Sequence, residues 1–194
     1  MCTIGDPAAA LVDGIAGEAD LRTIAAALAR FGDGALRYAA RHGIRIVPLG
    51  PTLRYAEASP ALRRLGIDVD AWPMPPAGLF VVEERRVFLR SPSPMTVAHE
   101  FGHALDCALG GGVYRSGYDA EVRCAFAAAR RYVTPYAATG LDEYFAECLR
   151  AYVAVNDEPS VWPKATRERL AAVDPAMHGF VERLFGEELG PTRS

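Results

Sequence analysis

Leu21, Ile24, Ala25, Leu28 and Phe31 follow the i, i+3, i+4, i+7 spacing of a helix with one buried stripe, and Asp20 stands where an N-cap belongs. Asp33-Gly34 interrupts the pattern. A second helix, from Ala35 through Leu36, Tyr38 and Ala39, stops at Gly43, a residue suited to the position just past a helix. The stretch from Ile44 to Leu49 has strand character. Between Gly50 and Gly78 the pattern loosens: Pro51, Pro60, Pro73, Pro75 and Pro76 punctuate it, and only Pro60 to Leu65 reads as helical. Leu79 to Glu83 and Arg86 to Arg90 then predict two strands of a hairpin turning at Glu84-Arg85. Residues 1 to 19 are small and weakly patterned, which predicts a loosely held segment.

The second half reads as helices. Ser93 is placed to cap a helix with Pro94 at its first position, and Val97, Ala98, Phe101, Ala104, Leu105 and Ala108 line one arc of it. Three glycines, Gly110 to Gly112, end it. Asp119 opens another helix with Val122, Ala125, Phe126, Ala129 and Val133 on one side. After a loop from Thr134 to Gly140, Thr139 and Asp142 suggest a capping-box-like start. The helix from Leu141 to Val153 that follows turns Leu141, Tyr144, Phe145, Cys148, Leu149 and Tyr152 inward and groups Glu143, Glu147 and Arg150 on the other side. A connector from Asn156 to Pro163 and helices over Lys164 to Val173 and Pro175 to Leu184 finish the chain. The order of elements predicts an α+β fold, with a small mixed sheet and a mainly helical C-terminal half.

The capped helix carries H-E-x-x-H: His99-Glu100-Phe101-Gly102-His103. Four positions apart on a helix, the two imidazoles stand one above the other and can reach a single metal ion from one side. Glu100 lies a quarter-turn away, beside such an ion and not on it, where a general base acting on a zinc-bound water belongs. Asp106 returns to the histidine stripe, where it can hold a ligand imidazole by its other ring nitrogen.

Composition narrows the setting. At 194 residues, 51% hydrophobic and 23% charged, the chain suits one sizeable core, so a single domain over 1–194 is expected, with helices and the small sheet in 1–94 and the helical half in 95–194. The net charge of -3 is near balance and the basic residues come as scattered pairs (Arg63-Arg64, Arg85-Arg86, Arg130-Arg131), which gives nucleic-acid binding no electrostatic support. No run approaches the ~18 apolar residues of a membrane span. Asp6, Asp13, Glu18 and Asp20 break up any apolar leader, so the expectation is a soluble protein without a classical signal peptide, cytoplasmic or exported by a non-classical route. Cys2, Cys107, Cys124 and Cys148 show no C-x-x-C spacing, which argues against a structural cysteine-zinc site; three fall within helices, where buried free thiols are the commoner outcome, and the sequence leaves disulfide pairing open.

A catalytic zinc takes three protein ligands and keeps one position for water. Beyond His103 the acidic candidates are Asp119, Glu121, Asp142 and Glu143. Glu121 reads as a solvated helix charge. Glu143 is best placed, in the first turn of a helix that otherwise packs apolar, with Glu147 four residues on able to stand behind the ligand layer.

Two blocks, His99-Glu100-Phe101-Gly102-His103-Ala104-Leu105-Asp106 and Tyr136-Ala137-Ala138-Thr139-Gly140-Leu141-Asp142-Glu143-Tyr144-Phe145-Ala146-Glu147, resemble the active-site blocks of the anthrax lethal factor catalytic domain and the related Pro-Pro endopeptidases. In that family a tyrosine stands seven residues before a glutamate ligand that opens an E-[FY]-F-A-E run, and Tyr136 and Glu143-Tyr144-Phe145-Ala146-Glu147 match both features. The likeness covers residues 95 to 155 and, more loosely, Asp174 to Phe185; it departs at Cys148 and in the short glycine-rich connector after Asp106. It implies a zincin-like metallopeptidase fold with an edge strand packed on the H-E-x-x-H helix. It also implies one catalytic zinc held by His99, His103 and Glu143, with Glu100 as base, Tyr136 as hydroxyl donor to the oxyanion, and Asp106 and Glu147 behind the ligands.

The reading that follows is a zinc-dependent endopeptidase acting on a peptide or protein that lies extended along the outer strand of the Leu79 to Arg90 hairpin. Trp72, in a proline-stiffened loop, is either a plug over the core or part of the cleft wall. Two further readings fit the same residues: a zinc-binding pseudoenzyme or interaction module without proteolysis, and a zinc hydrolase of a non-peptide amide.

Overall fold

The computed structural model describes residues 7–50, 52–160 and 163–190, so expectations for Cys2 and Pro51 lie outside the described residues. Helix α1 (Glu18–Ala29) starts from Gly17, which places Asp20 inside the first turn, where its negative charge still favours the positive end of the helix dipole. The chain breaks at Arg30-Phe31 and not at Asp33-Gly34, which belong to the first turn of α2 (Gly32–Arg41). Gly34 is tolerated there because a side chain would collide with the Leu189 carbonyl from the C-terminal end. Gly43, at φ 77°, ends α2 in the left-handed region expected of it.

Strand β1 (Arg45–Pro48) is followed by two short helices, α3 (Tyr55–Ala58) and α4 (Pro60–Leu65), of which only α4 is legible from its Ser59 cap and Pro60. Strands β2 (Gly78–Val81) and β3 (Arg86–Leu89) form the expected hairpin, turning through Val82–Arg85 with Arg85 at φ 54°. The sheet order is β1-β3-β2, with β1 parallel and β2 antiparallel to β3, so β2 is an outer edge. Its side chains alternate: Ile46, Phe80, Val87 and Leu89 join the main core, whereas Val81 and Phe88 meet Leu49, Tyr55, Leu62 and Val69 beneath α3 and α4. The N-terminal segment is held more firmly than its sequence suggests. Leu11 is buried, and Asp13 N–H donates to the Ile46 carbonyl at 2.8 Å beside a parallel bridge between Val12 and Ile46.

Helix α5 (Pro94–Leu109) has Ser93 as its cap, accepting from Thr96 N, and Asp157 adds a second clamp by accepting from Met95 N at 2.8 Å. Helix α6 (Ala120–Ala128) ends five residues short of Val133. Helix α7 (Leu141–Tyr152) starts from Gly140 without a side-chain cap; the Thr139 hydroxyl donates to the Tyr136 carbonyl instead, so the expected capping box is absent. Helices α8 (Arg167–Val173) and α9 (Pro175–Arg183) close over α7, and the buried Tyr144 hydroxyl donates to Asp174, which also caps α9. The result is a mixed α and β architecture with a small three-stranded sheet and mostly helices. Cys107 and Cys148 are buried free thiols and Cys124 is exposed. Among the described residues no helix is long and apolar enough to cross a membrane.

Helices α5 and α7 are in intimate contact. A β-carbon at Gly102 would lie 2.9 Å from Ala146 Cα and 3.1 Å from its carbonyl oxygen, so the glycine sets how near the two backbones come. Gly102→Ala is expected to destabilise the protein by about 1–3 kcal/mol through overpacking, read as a lower denaturant midpoint at unchanged slope.

Candidate metal centre and cleft

The approach of α7 to α5 sets Glu143 against both histidines. His99 Nε2 and His103 Nε2 are 3.1 Å apart, and Glu143 Oε2 lies 3.1 Å from the first and 3.3 Å from the second. Three electron-pair donors converge on one point, and the buried Glu143 Oε2 has no hydrogen-bond partner among the described residues. Such a set is self-repulsive unless protons or a cation stand between its atoms. The group can hold a metal ion.

Behind it Glu147 is the hub. Its Oε1 accepts from His99 Nδ1 at 2.9 Å and Arg150 Nε at 2.8 Å, and its Oε2 from Thr134 Oγ1 at 2.6 Å and Arg150 Nη2 at 2.7 Å. The bond to Nδ1 fixes the ring so that Nε2 faces the converging point. Arg150, only 3% exposed, is held in turn by the Val155 carbonyl and Asn156 Oδ1. Thr134 Oγ1 also accepts from Ala137 N at 3.2 Å, so the single 3-10 turn carrying Tyr136 hangs from the same carboxylate. The Tyr136 hydroxyl donates to Glu143 Oε1 at 3.2 Å.

Asp106 departs from expectation. Its carboxylate accepts from Ser116 N at 2.9 Å and Ser116 Oγ at 2.5 Å, while His103 Nδ1 has no hydrogen-bond partner among the described residues. The connector after the glycines folds back and takes both oxygens before they can reach the ring.

The electrostatics follow from burial and neighbours. Burial pulls the His99 pKa down, but the facing Glu143 carboxylate and the hydrogen bond to Glu147 outweigh it and lift it to about 10. Glu143 is the mirror image: burial opposes its charge, yet the two histidines bring it down to about 2. Glu147 is held well below the usual carboxylate range, burial being overridden by His99 and Arg150. For Glu100 burial dominates and raises the carboxyl above its ordinary value, against the pull of both histidines.

These groups open into a cleft of about 780 Å³ walled by β2, the first turns of α5 and the Tyr136 turn. Trp72 is half exposed and lines it, so it is no plug over the core. Its loop is anchored by the Tyr55 hydroxyl donating to the Pro76 carbonyl at 2.8 Å and by the Arg90–Asp70 ion pair. Sequence reasoning missed three participants. Arg150 stands three residues after Glu147, an ion-pair spacing, and Thr134 three before Ala137, a cap-like spacing; both were readable signals. Tyr114, whose ring centroid is 5.7 Å from that of His103, had none.

The sequence matches no protein-family model and no curated protein. Among solved structures, the fold is similar to that of the Pro-Pro endopeptidase PPEP-2 from Paenibacillus alvei, with a TM-score of 0.66 and 21% identity over 92% of this chain and 100% of that one.

Arg150→Met leaves Glu147 buried with half its donors gone. The loss expected is about 3–5 kcal/mol, measured by chemical denaturation.

Proposed function

We propose that the chain is a zinc-dependent endopeptidase, with His99, His103 and Glu143 as ligands, Glu100 as general base and Tyr136 as oxyanion donor. The observation that carries this reading is the triangle of His99 Nε2, His103 Nε2 and Glu143 Oε2, with edges of 3.1 to 3.3 Å. Ligands ~2.0–2.1 Å from a tetrahedral zinc are roughly 3.3 Å from one another, and two imidazoles with one carboxylate make a catalytic donor set. The likeness in fold to a peptidase and the matched Tyr136 and Glu143-Tyr144-Phe145-Ala146-Glu147 support the same reading and extend it to the lethal factor-like group.

Zinc held there would supply Lewis acidity, loosening the proton of an attacking water and polarising the substrate carbonyl. The residues divide the rest of the work. Glu100, its carboxyl poised upward by burial, takes the proton and passes it to the leaving amine. The half-exposed Tyr136 turns its hydroxyl from Glu143 to the carbonyl oxygen as charge develops on it. Glu147 and Arg150 keep His99 in register. A peptide lies extended against β2, whose outer edge forms one wall of the cleft.

Incubation of the zinc-loaded protein with a degenerate peptide library should give chelator-sensitive cleavage, read by mass spectrometry, that Glu100→Ala abolishes. Tyr136→Phe should lower kcat by ~10² to 10³ with zinc still bound. Retention of full activity by Glu100→Ala would refute the scheme.

Metal uptake should depend on pH with a definite sign. His99 carries a proton below about 10 in the metal-free protein, and zinc must displace it. Affinity is therefore expected to rise roughly tenfold per pH unit between about pH 6 and 8, with about one proton released, as calorimetry in buffers of different ionisation enthalpy reports.

A further inference from the structure

Strand β2 contains a glycine that no turn explains. Gly78 opens β2, buried and paired antiparallel with Leu89, and its φ is not in the left-handed region, so no backbone conformation calls for a glycine there. What distinguishes the position is the space beside it. A β-carbon there would lie 2.7 Å from Glu100 Cγ, 2.8 Å from Thr96 Cγ2 and 3.2 Å from Leu89 Cδ2. Two of these neighbours cannot move aside. Thr96 is fixed by its Oγ1 at 3.1 Å from Ser93 Oγ, within the cap of α5, and Leu89 is fully buried in the core. Glu100 has the longest side chain of the three and opens on the cleft, so it is the neighbour that an added β-carbon would displace.

Gly102 makes a useful contrast. Its missing β-carbon leaves room for the backbone of α7 and so serves the fold, whereas Gly78 leaves room for a side chain on α5. We propose that Gly78 is a positioning residue for Glu100: the edge strand withholds a side chain so that the carboxylate can stand directly beneath it, at the floor of the cleft. The inference rests on the endopeptidase reading for its consequence in rate, but its geometric content is separate. The neighbouring Phe80 backbone amide acts in the same sense by favouring the charged carboxylate. The strand expected to receive substrate thus also seats the base, which ties the position of the attacked carbonyl to that of the proton acceptor.

The test uses zinc-loaded protein with ¹³C-labelled glutamate carboxyls and ¹⁵N-labelled histidine rings, the Glu100 signal being assigned by its loss in Glu100→Gln. In Gly78→Ala the Glu100 resonance should shift while the His99 and His103 ring signals and the zinc content stay as in the wild type. Peptide cleavage should show kcat lowered about 10- to 100-fold with KM within about twofold. Thr96→Ser, which deletes the crowding methyl and keeps the hydroxyl on Ser93, is combined with Gly78→Ala to relieve strain. The pair should recover thermal stability without recovering kcat. An unmoved Glu100 resonance, loss of zinc from Gly78→Ala, or return of rate together with stability would each overturn the inference. A shifted Glu100 resonance in a protein whose wild type cleaves no peptide would uphold the positioning role and overturn the endopeptidase reading.

Discussion

The distance between α5 and α7 governs the rest of the structure. Packed helices usually lie ~8–10 Å apart, and the absence of a β-carbon at Gly102, opposite Ala146, lets these two come in close. The stripe of α7 that meets α5 is Glu143, Ala146, Glu147 and Arg150, spaced i, i+3, i+4, i+7. A glycine facing an alanine in its middle lets the flanking acids reach the histidines with short side chains. Glu143 then meets both Nε2 atoms, and Glu147 the Nδ1 of His99, from successive turns of one helix. The cost of a glycine inside α5, about 1 kcal/mol relative to alanine, is offset by that geometry.

Two glutamates four residues apart on one helix end in opposite electrostatic states of completion. Glu147 accepts from four donors, two of them from the Arg150 guanidinium. Glu143 keeps a buried oxygen with no hydrogen bond. A buried carboxylate stripped of water is costly unless its lone pairs are used, so the first is a finished structural element and the second is one that a cation can complete. Arg150 makes the distinction possible. It pairs with both oxygens of Glu147 and makes no hydrogen bond or ion pair to Glu143, whose charge is left facing the histidines.

What could be read from the chain and what could not divide along a physical line. Features set by neighbours within a turn or two were legible: the Ser93-Pro94 start of α5, the left-handed Gly43, the alternation of β2 and β3, the stacking of His99 over His103. Features set by which distant groups meet were not. Helix α3 is four residues long and held by Asp70 and Arg90 from far along the chain, so no periodicity announces it. The parallel pairing of β1 with β3 leaves no mark on either strand. The spacing of Arg150 from Glu147 is legible, but its burial is not, because that depends on the Val155 carbonyl and Asn156 that folding brings to it.

Asp106 shows how a residue on the right stripe can serve a different end. From the spacing alone it belongs behind an imidazole, as Glu147 does. Folding instead gives both of its oxygens to Ser116, which closes the connector that leaves α5 through three glycines. Tyr114 sits two residues before that clasp, and its ring comes within 5.7 Å of His103 and 6.3 Å of Phe80 on the edge strand. The charge state of the acid fits this duty. Burial raises the Asp106 pKa to about 6, only partly countered by the neutral donors of Ser116, whereas His99 and Arg150 hold Glu147 well below the usual carboxylate range. An acid that must orient a positively polarised ring needs a firm charge; one that clasps a serine needs only lone pairs. The two acids on the histidine side of the helices have accordingly parted, one to hold His99 and the other to bring an aromatic wall up against His103.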